Sequence, residues 1–518
     1  MRHVSRRTTA AGGISGPWPQ EGRTSNRLFG LFPDVHLPDA HRSESMTYVD
    51  GTHILDDEPS QKLPLAGGLL DAGDSLKRRV VLGSAWTVFG FAAAFVLRLT
   101  SNVILTRLLF PEAFGLMTLV GVLMTGLAMF SDIGVGPSII QNRRGDDPRF
   151  LNTAWTIQVG RGVLLWVCAI ALAPLMAGLY EEPRLRWMVP IAGLSAVFAG
   201  FSSTSLFLLN RHLRLGRRTV LDLATQFVGI VVTVAWAWVD RSVNALVAGM
   251  LVAPALKAIL SHVVIPGPRN RLAWDREAGR SLFRFGRWIF LNTLLAFIGI
   301  QADRLLLGKL ISMEMLGVYG IAAALVMTGR SLVLSLSGSV LFPAASRRSG
   351  LPREQFLGQL RQKRRPILLL SAAMMAVVVS CEDWVVLGLY DARYEAASWI
   401  LPILTLGLWP VVLAATADGC LLALDQSKYL TLGSFLRVLA VCVLLPLGYR
   451  RFGLPGVVVS MSVVDWPRYI GAVIGLVRAR LNLLRQDALA TGLLVLLLLA
   501  LWWTRHVLSL GTPIGRMF

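Results

Sequence analysis

From Gly83 almost to the C-terminus, apolar runs of about 20 residues alternate with short polar breaks, and each run is long enough as a helix to cross about 30 Å of hydrocarbon. The pattern predicts about thirteen helical spans, at 81–109, 113–136, 154–180, 187–209, 220–239, 243–265, 286–310, 315–342, 366–389, 399–424, 430–449, 454–477 and 488–508. Residues 1–77 break the pattern. They are rich in Pro, Gly, Ser, Arg and Asp, show no helical period and read as a disordered tail, with Met46 as an alternative start. No apolar core with a small-residue cleavage site precedes the first span, so no secretory signal is expected.

The breaks fall into two sets. One set is short and poor in cations: "FPEAF", "YEEPRLR", "VDRS", "ISMEM" and "YDARYEAAS". The other holds most of the Lys and Arg: "QNRRGDDPR", "NRHLRLGRR", "RNRLAWDREAGRSLFR", "SRRSGLPREQFLGQLRQKRR" and "RARLNLLRQD". Cations mark the inner face of a membrane, so the second set is expected to be cytoplasmic, with the N-terminus inside. Trp155, Trp187 and Trp399 lie near span ends, where interfacial indoles belong.

Composition agrees with that environment: 54% hydrophobic residues, 16% charged and a mean hydropathy of +0.58. The net charge of +20 is scattered through alternate loops and forms no single stripe, which argues against nucleic acid as a partner. Cys168, Cys381, Cys420 and Cys442 all fall in apolar runs without metal-ligand spacing, so they read as buried small hydrophobes.

An internal repeat shapes the expected architecture. The shift that lays Trp86 on Trp288 also lays Arg107 on Lys309 and Gly115 on Gly317. Two six-span halves starting with the same topology imply a parallel repeat about an axis normal to the membrane. The fold expected is therefore an all-α polytopic membrane protein of two six-helix lobes with a cavity between them near the midplane. The N-lobe would cover 78–266, the C-lobe 267–480, and 481–518 would add an accessory span.

Ionisable side chains within spans are the candidate chemistry, because a charge at the bilayer centre costs about 2.5–3.5 kcal/mol or more and normally faces protein or water. Basic residues outnumber acidic ones here: Arg98, Arg161, Lys257, Arg304, Arg330, Arg437 and Arg468 against Asp303 and Asp465. Asp465 can neutralise Arg468 three residues on. Arg98 and Arg330, near mid-span, have no acidic residue on their own spans, and a permeating anion would satisfy them. The planar fork of arginine suits a diphosphate. Arg161, Lys257 and Arg437 lie within snorkelling reach of the cytoplasmic interface. Arg161, Arg304 and Arg437 are also kept as candidates for the same anion. For Asp303 and Arg304, an inter-lobe ion pair and a cavity site stay open, and Asp303 or Asp465 are candidates for ion coupling. Asp132, Asp222 and Asp418 sit nearer span ends and read as interfacial.

No P-loop, HExxH or GxSxG is present, no cofactor is expected, and no outer loop is large enough to carry a glycosyltransferase or ligase site. An enzyme is therefore not expected.

The chain resembles the Wzx-type polysaccharide flippases of the multidrug/oligosaccharidyl-lipid/polysaccharide exporter superfamily. The resemblance rests on "LTRLLFPEAFGLMTLV", "FSDIGVGPSIIQ", "LNTAWTIQVGRG" and "LNRHLRLGRRTVLDL" in the first half. In the second half it rests on "FRFGRWIFLN", "ADRLLLGKLISMEMLGVYG" and "VLFPAASR". It spans about 78–480 and places Asp303 and Arg304 in a charged motif of the seventh helix. It implies a two-lobed bundle with a cationic cavity, moving oligosaccharide linked to an isoprenoid diphosphate across the bacterial inner membrane. Polysaccharide polymerase and glycosyltransferases would be working partners. Members have twelve or fourteen spans, against the thirteen read here. A flippase for another glycolipid, such as the peptidoglycan precursor, is the nearer rival. A multidrug or cation antiporter of the same superfamily is the further one, since its cavity would be acidic or aromatic.

Overall fold

The computed structural model describes residues 68–131, 134–346 and 352–508, and among these the fold is built from helices without strands. Residues 1–67, which hold most of the expected tail and Met46, lie outside the described residues, as does Asp132.

Eighteen α-helices follow one another: α1 Gly68–Leu108, α2 Pro111–Phe130, α3 Val135–Gln141, α4 Pro148–Leu179, α5 Leu185–Phe201, α6 Ser205–Arg211, α7 Leu215–Val239, α8 Val243–Val263 and α9 Arg276–Leu310. They continue with α10 Met313–Leu336, α11 Phe342–Ser346, α12 Arg353–Ser380, α13 Glu382–Leu389, α14 Ala397–Leu406, α15 Leu408–Ala423, α16 Ser427–Val463, α17 Trp466–Arg478 and α18 Leu484–Val507. α1 begins at Gly68, inside the stretch expected to be tail, because the helix of the first span continues back through "LLDAGDSLKRR".

Local sequence sets the helix starts. Pro111 and Pro148 stand in first turns, where a missing N–H costs nothing. Asp147, Ser242, Asp275 and Ser312 cap α4, α8, α9 and α10 by accepting backbone N–H bonds.

Every expected span falls on helix, and nine helices among the described residues are long and apolar enough to cross a membrane, or ten if the 60° bent pair α5–α6 is one crossing. The 52-residue stretch Ser427–Arg478 counted there as one candidate is a hairpin. Gly453 takes φ 62°, ψ −141° and reverses the chain, so Gly448 lies against Gly456 and Gly433 against Gly471. α9 and α12 are long but carry charge within their apolar stretches, Asp303 and Arg304 in one and Arg361, Lys363, Arg364 and Arg365 in the other.

α1 to α8 pack mainly on one another, as do α10 to α18, and α2, α9 and α10 join the two sets. The stretch Ala397–Ala423 (α14 and α15) has 89% of its apolar window buried in protein and forms the centre of the second set. α1, at 11%, turns most of its surface outward. Of the four cysteines only Cys420 is buried, and Cys442 is exposed on an outer helix face. A position hidden from water in lipid is not thereby packed in protein, which corrects the expectation of four buried cysteines.

Candidate functional site

A cavity of about 1300 Å³ opens among α1, α4, α5, α7 and α8. Its lining runs from Leu215 at the end of the bundle that carries the basic loops to Thr233 deep within it, about 27 Å along α7 at 1.5 Å per residue. Among the described residues all of the lining belongs to 87–257. Among the described residues the cavity is thus lined by the first set of helices, where the sequence led to a cavity between two lobes. At the far end of the bundle the two sets meet closely, with the α2 backbone at Gly115 against the α10 backbone at Met313 and Gly317.

Among the described residues four cations line this cavity, Arg98, Arg161, Arg218 and Lys257, against one carboxylate, Asp222. Asp222 is consumed by two of them: Lys257 Nζ lies 2.6 Å from Oδ1 and Arg218 Nε 3.5 Å from Oδ2. Arg161 on α4 donates from Nε to Ser131 Oγ (2.8 Å) and from Nη2 to the Ala128 carbonyl (2.7 Å), at the C-terminal end of α2. That end carries the negative pole of the helix dipole, which favours the Arg161 cation there. Arg98 on α1 is exposed to the cavity and makes no hydrogen bond or ion pair among the described residues. Neutral donors and acceptors complete the wall, among them Gln158, Asn210, Thr219 and Gln226. Gln226 Nε2 reaches the Ala94 carbonyl (3.2 Å), which fixes α7 beside the turn preceding Arg98.

Arg330 and Arg437 are elsewhere. Arg330 on α10 donates from Nη1 to Asp465 Oδ2 (3.0 Å), and Arg437 on α16 from Nε to Asp465 Oδ1 (2.8 Å). Asp465 is 3% exposed and Arg437 6%. Arg330 has no acidic partner on its own span, as expected, but Asp465 from another helix holds it where a permeating anion was expected, and the charges of Arg437 and Lys257, expected to snorkel, are held by Asp465 and Asp222. Arg468 does not use Asp465 either; its Nη2 lies 2.7 Å from Asp418. Asp465 precedes the first turn of α17, and its carboxylate is turned to α10 and α16, so the i,i+3 pairing is not formed.

Asp303 and Arg304 do not join each other. Asp303, 3% exposed, accepts from the Tyr319 hydroxyl on α10, and Arg304 donates to Gln301 Oε1 (2.8 Å) one turn earlier. Neighbouring residues on a helix point about 100° apart. No salt bridge involves either among the described residues, and neither lines the cavity. The expected inter-lobe ion pair is therefore absent from the described contacts.

One buried cluster escaped the sequence reading. Arg364, fully buried, binds Asp487 (2.6 Å), Thr416 Oγ1 (2.9 Å) and the Leu413 carbonyl (3.2 Å), while Tyr469 donates to Asp487 (2.7 Å). It fastens α18 to α12, α15 and α17. Both charges stand in stretches that read as basic loops, and no spacing rule connects partners 123 residues apart.

At the end opposite the basic loops, contacts cross between the two sets of helices. Lys309 pairs with Glu181 (2.5 Å), Tyr180 Oη donates to the Leu305 carbonyl (3.3 Å), and the Arg393 guanidinium stacks over Phe110 (5.0 Å).

Fold and site together define an all-helical, multi-pass membrane protein with a deep cationic cavity. Residues 104–399, more than half the chain, match the family described as polysaccharide biosynthesis protein, and the chain belongs to that family. Among curated relatives it is 21% identical to the teichuronic acid biosynthesis protein TuaB of Bacillus subtilis, over 64% of this chain and 68% of that protein. It is 23% identical to the lipopolysaccharide biosynthesis protein WzxC of Escherichia coli K12, over 52% of this chain and 55% of that one. It is 21% identical to a putative O-antigen transporter of Shigella flexneri, over 74% and 94%. Among solved structures the fold is similar to an inward closed conformation of the lipid II flippase MurJ, with TM-score 0.65, 15% identity and 82% and 93% of the two chains covered. It is also similar to an inward-facing multidrug resistance MATE family transporter, with TM-score 0.56, 12% identity and coverage of 77% and 96%.

Proposed function

We propose that the protein carries oligosaccharide linked to an isoprenoid diphosphate across the bacterial inner membrane, for export of a surface polysaccharide, by alternating access between two lobes. The observation that carries the reading is the charge of the cavity: among the described residues four cations line it against Asp222, which is shared by Arg218 and Lys257, while Arg98 makes no ion pair and stands on the same wall as Arg161. A diphosphate would bridge them through charge-assisted hydrogen bonds, strengthened where water is scarce. Sugars would rest against the amide and hydroxyl groups of the same wall, while the isoprenoid stays in lipid.

The distribution of basic loops supports a cavity mouth on the cytoplasmic side, with the N-terminus inside. On that orientation the described conformation takes substrate from the inner leaflet and is shut outward. The lobes divide between residues 266 and 267, the N-lobe covering 78–266 and the C-lobe 267–480, with α18 in 481–518 as the added span. Arg330, Arg437 and Asp465 form an internal cluster that binds α10, α16 and α17 together, and first contact with the diphosphate falls to Arg98 and Arg161. Asp303 and Asp465 remain the candidates for ion coupling. A multidrug or cation antiporter is disfavoured by the excess of positive charge in the cavity, and a catalytic role has no carboxylate pair to rest on. A polymerase and glycosyltransferases would act on either side of the transport step.

Transport of a fluorescent isoprenoid-diphosphate oligosaccharide in proteoliposomes tests the reading. Wild-type protein should move the labelled lipid to the opposite leaflet, and the corresponding isoprenoid alcohol without diphosphate should not be moved. Equal movement of the two would sink the role assigned to the cations.

A further inference from the structure

A second concavity, about 410 Å³ in volume, lies at the basic-loop end of the other set of helices. Arg353, Lys428, Arg478 and Arg480 line it, and no carboxylate lines it among the described residues. Elsewhere, clusters of arginine in the loops carry their own anions: Arg144 is held by Asp147, Asp275 and Glu277, and Arg211 with His212 by Asp146. Here Arg353, Lys428 and Arg480 make no ion pair among the described residues. Lys428 Nζ lies 5.2 Å and Arg478 Cζ 5.9 Å from the centroid of one ring, Tyr429, and Arg478 Nη1 also donates to its hydroxyl (3.3 Å). Two cations are thus gathered on a single aromatic side chain that is itself buried.

The backbone adds to the positive potential. Arg353 is the first residue of the 28-residue α12, and Gln426 and Lys428 flank the start of α16, whose first arm runs from Ser427 to the turn at Gly453, so two helix N-termini contribute their positive poles. Arg480 sits at φ 57° after the end of α17, a left-handed position that glycine usually fills. An arginine there projects a guanidinium into the concavity at the expense of backbone ease. Leu424 belongs to the lining, and Leu422 and Val477, near lining residues in the chain, are 46% and 55% exposed. A charged hollow next to exposed apolar side chains has the chemistry of a lipid head group with its tails alongside.

We propose that this hollow binds the phosphate of an anionic phospholipid head group at the membrane surface. Phosphate is the shared chemistry, and a soluble phosphate would meet the same cations. The apolar rim favours the lipid.

The test uses the full chain in detergent, with native mass spectrometry of adducts formed by phosphatidylglycerol or phosphatidylcholine, and inorganic pyrophosphate as the soluble arm. Wild-type protein should retain phosphatidylglycerol over phosphatidylcholine, and a Lys428→Ala/Arg480→Ala variant should lose that preference by about fivefold per removed cation. A Arg353→Gln/Lys428→Gln pair gives the same reading should the first variant fail to fold. Pyrophosphate that displaces the lipid in the wild type and not in the variants supports the phosphate site. Pyrophosphate binding with no lipid preference places a soluble phosphate there and overturns the lipid assignment. Equal retention of both lipids with no pyrophosphate binding, or unchanged preference in both variants, overturns the site itself.

Discussion

Gly115 and Gly317, paired by the internal repeat, touch each other across the junction of α2 and α10. A Cβ built on Gly115 would strike the Met313 carbonyl, and one built on Gly317 would strike the Pro111 carbonyl. The repeat shift that pairs Gly115 with Gly317 also pairs Pro111 with Met313, so each half meets the other through equivalent atoms. A local two-fold relation between the halves therefore passes between these glycines. Helices approach this closely only where side chains are absent.

Replacing Gly115 or Gly317 with Leu should force α2 and α10 apart where both contacts are backbone. Overpacking of this kind costs about 1–3 kcal/mol, and the closed junction should open. Thiol labelling of a single cysteine introduced at Thr118, one turn inward, should rise in either variant, with transport reduced. Unchanged labelling would mean that the two backbones separate freely.

Arg98→Ala should lower transport at least about tenfold, the scale of one lost charge-assisted contact, without changing the amount of protein in the membrane. Arg98→Lys should retain part of it, because charge survives and the fork does not. Activity equal to wild type in Arg98→Ala would remove this residue from the substrate path.

Asp465→Asn leaves Arg330 and Arg437 facing each other without their shared carboxylate. Breaking a buried pair costs about 3–5 kcal/mol, so the variant should melt lower in detergent and accumulate poorly. Adding Arg330→Met to Asp465→Asn should recover part of the loss. No recovery would argue against a shared cluster.

Arg364→Met alone should loosen α18 by stranding Asp487, on a similar scale of about 3 kcal/mol. Arg364→Met with Asp487→Leu should be closer to wild type, because removing both charges removes the desolvation penalty. Limited proteolysis after α17 reads the difference.

The loop before α4 supplies a pH test. The Arg144 guanidinium, together with the Arg149 backbone N–H, holds the Asp147 carboxyl below its ordinary value. Asp275 is lowered by the Ala278 backbone N–H first and then by Arg144. Carboxyls lowered on folding add stability that is present above their unfolded values and lost as pH falls through the folded ones. Loop protection from protease should therefore hold at neutral pH and fail below about pH 4. Arg144→Gln should be nicked at neutral pH already.

Much of the fold could be read in the chain. Apolar run length placed helices at all the expected spans, since a lipid-facing backbone has to satisfy its own hydrogen bonds. The repeat was readable too, down to Gly115 and Gly317. The site was readable in part. Among the described residues Arg98 and Arg161, both kept as candidates from their place in apolar runs, line the cavity in the first set of helices, whereas Arg330 and Arg437 do not. Arg218 was missed because "LGRR" reads as a basic loop, although it opens α7 and faces Asp222.

By itself the sequence determined where the chain is helical and which stretches are apolar enough to lie in lipid, because both depend on neighbours within a few turns. Tertiary structure alone decided which charges are spent. Asp465 stands 135 residues from Arg330 and 28 from Arg437, and Asp222 reaches Lys257 from another helix. A guanidinium is neutralised by whatever carboxylate lies within about 4 Å in space, and that distance is set by helix packing.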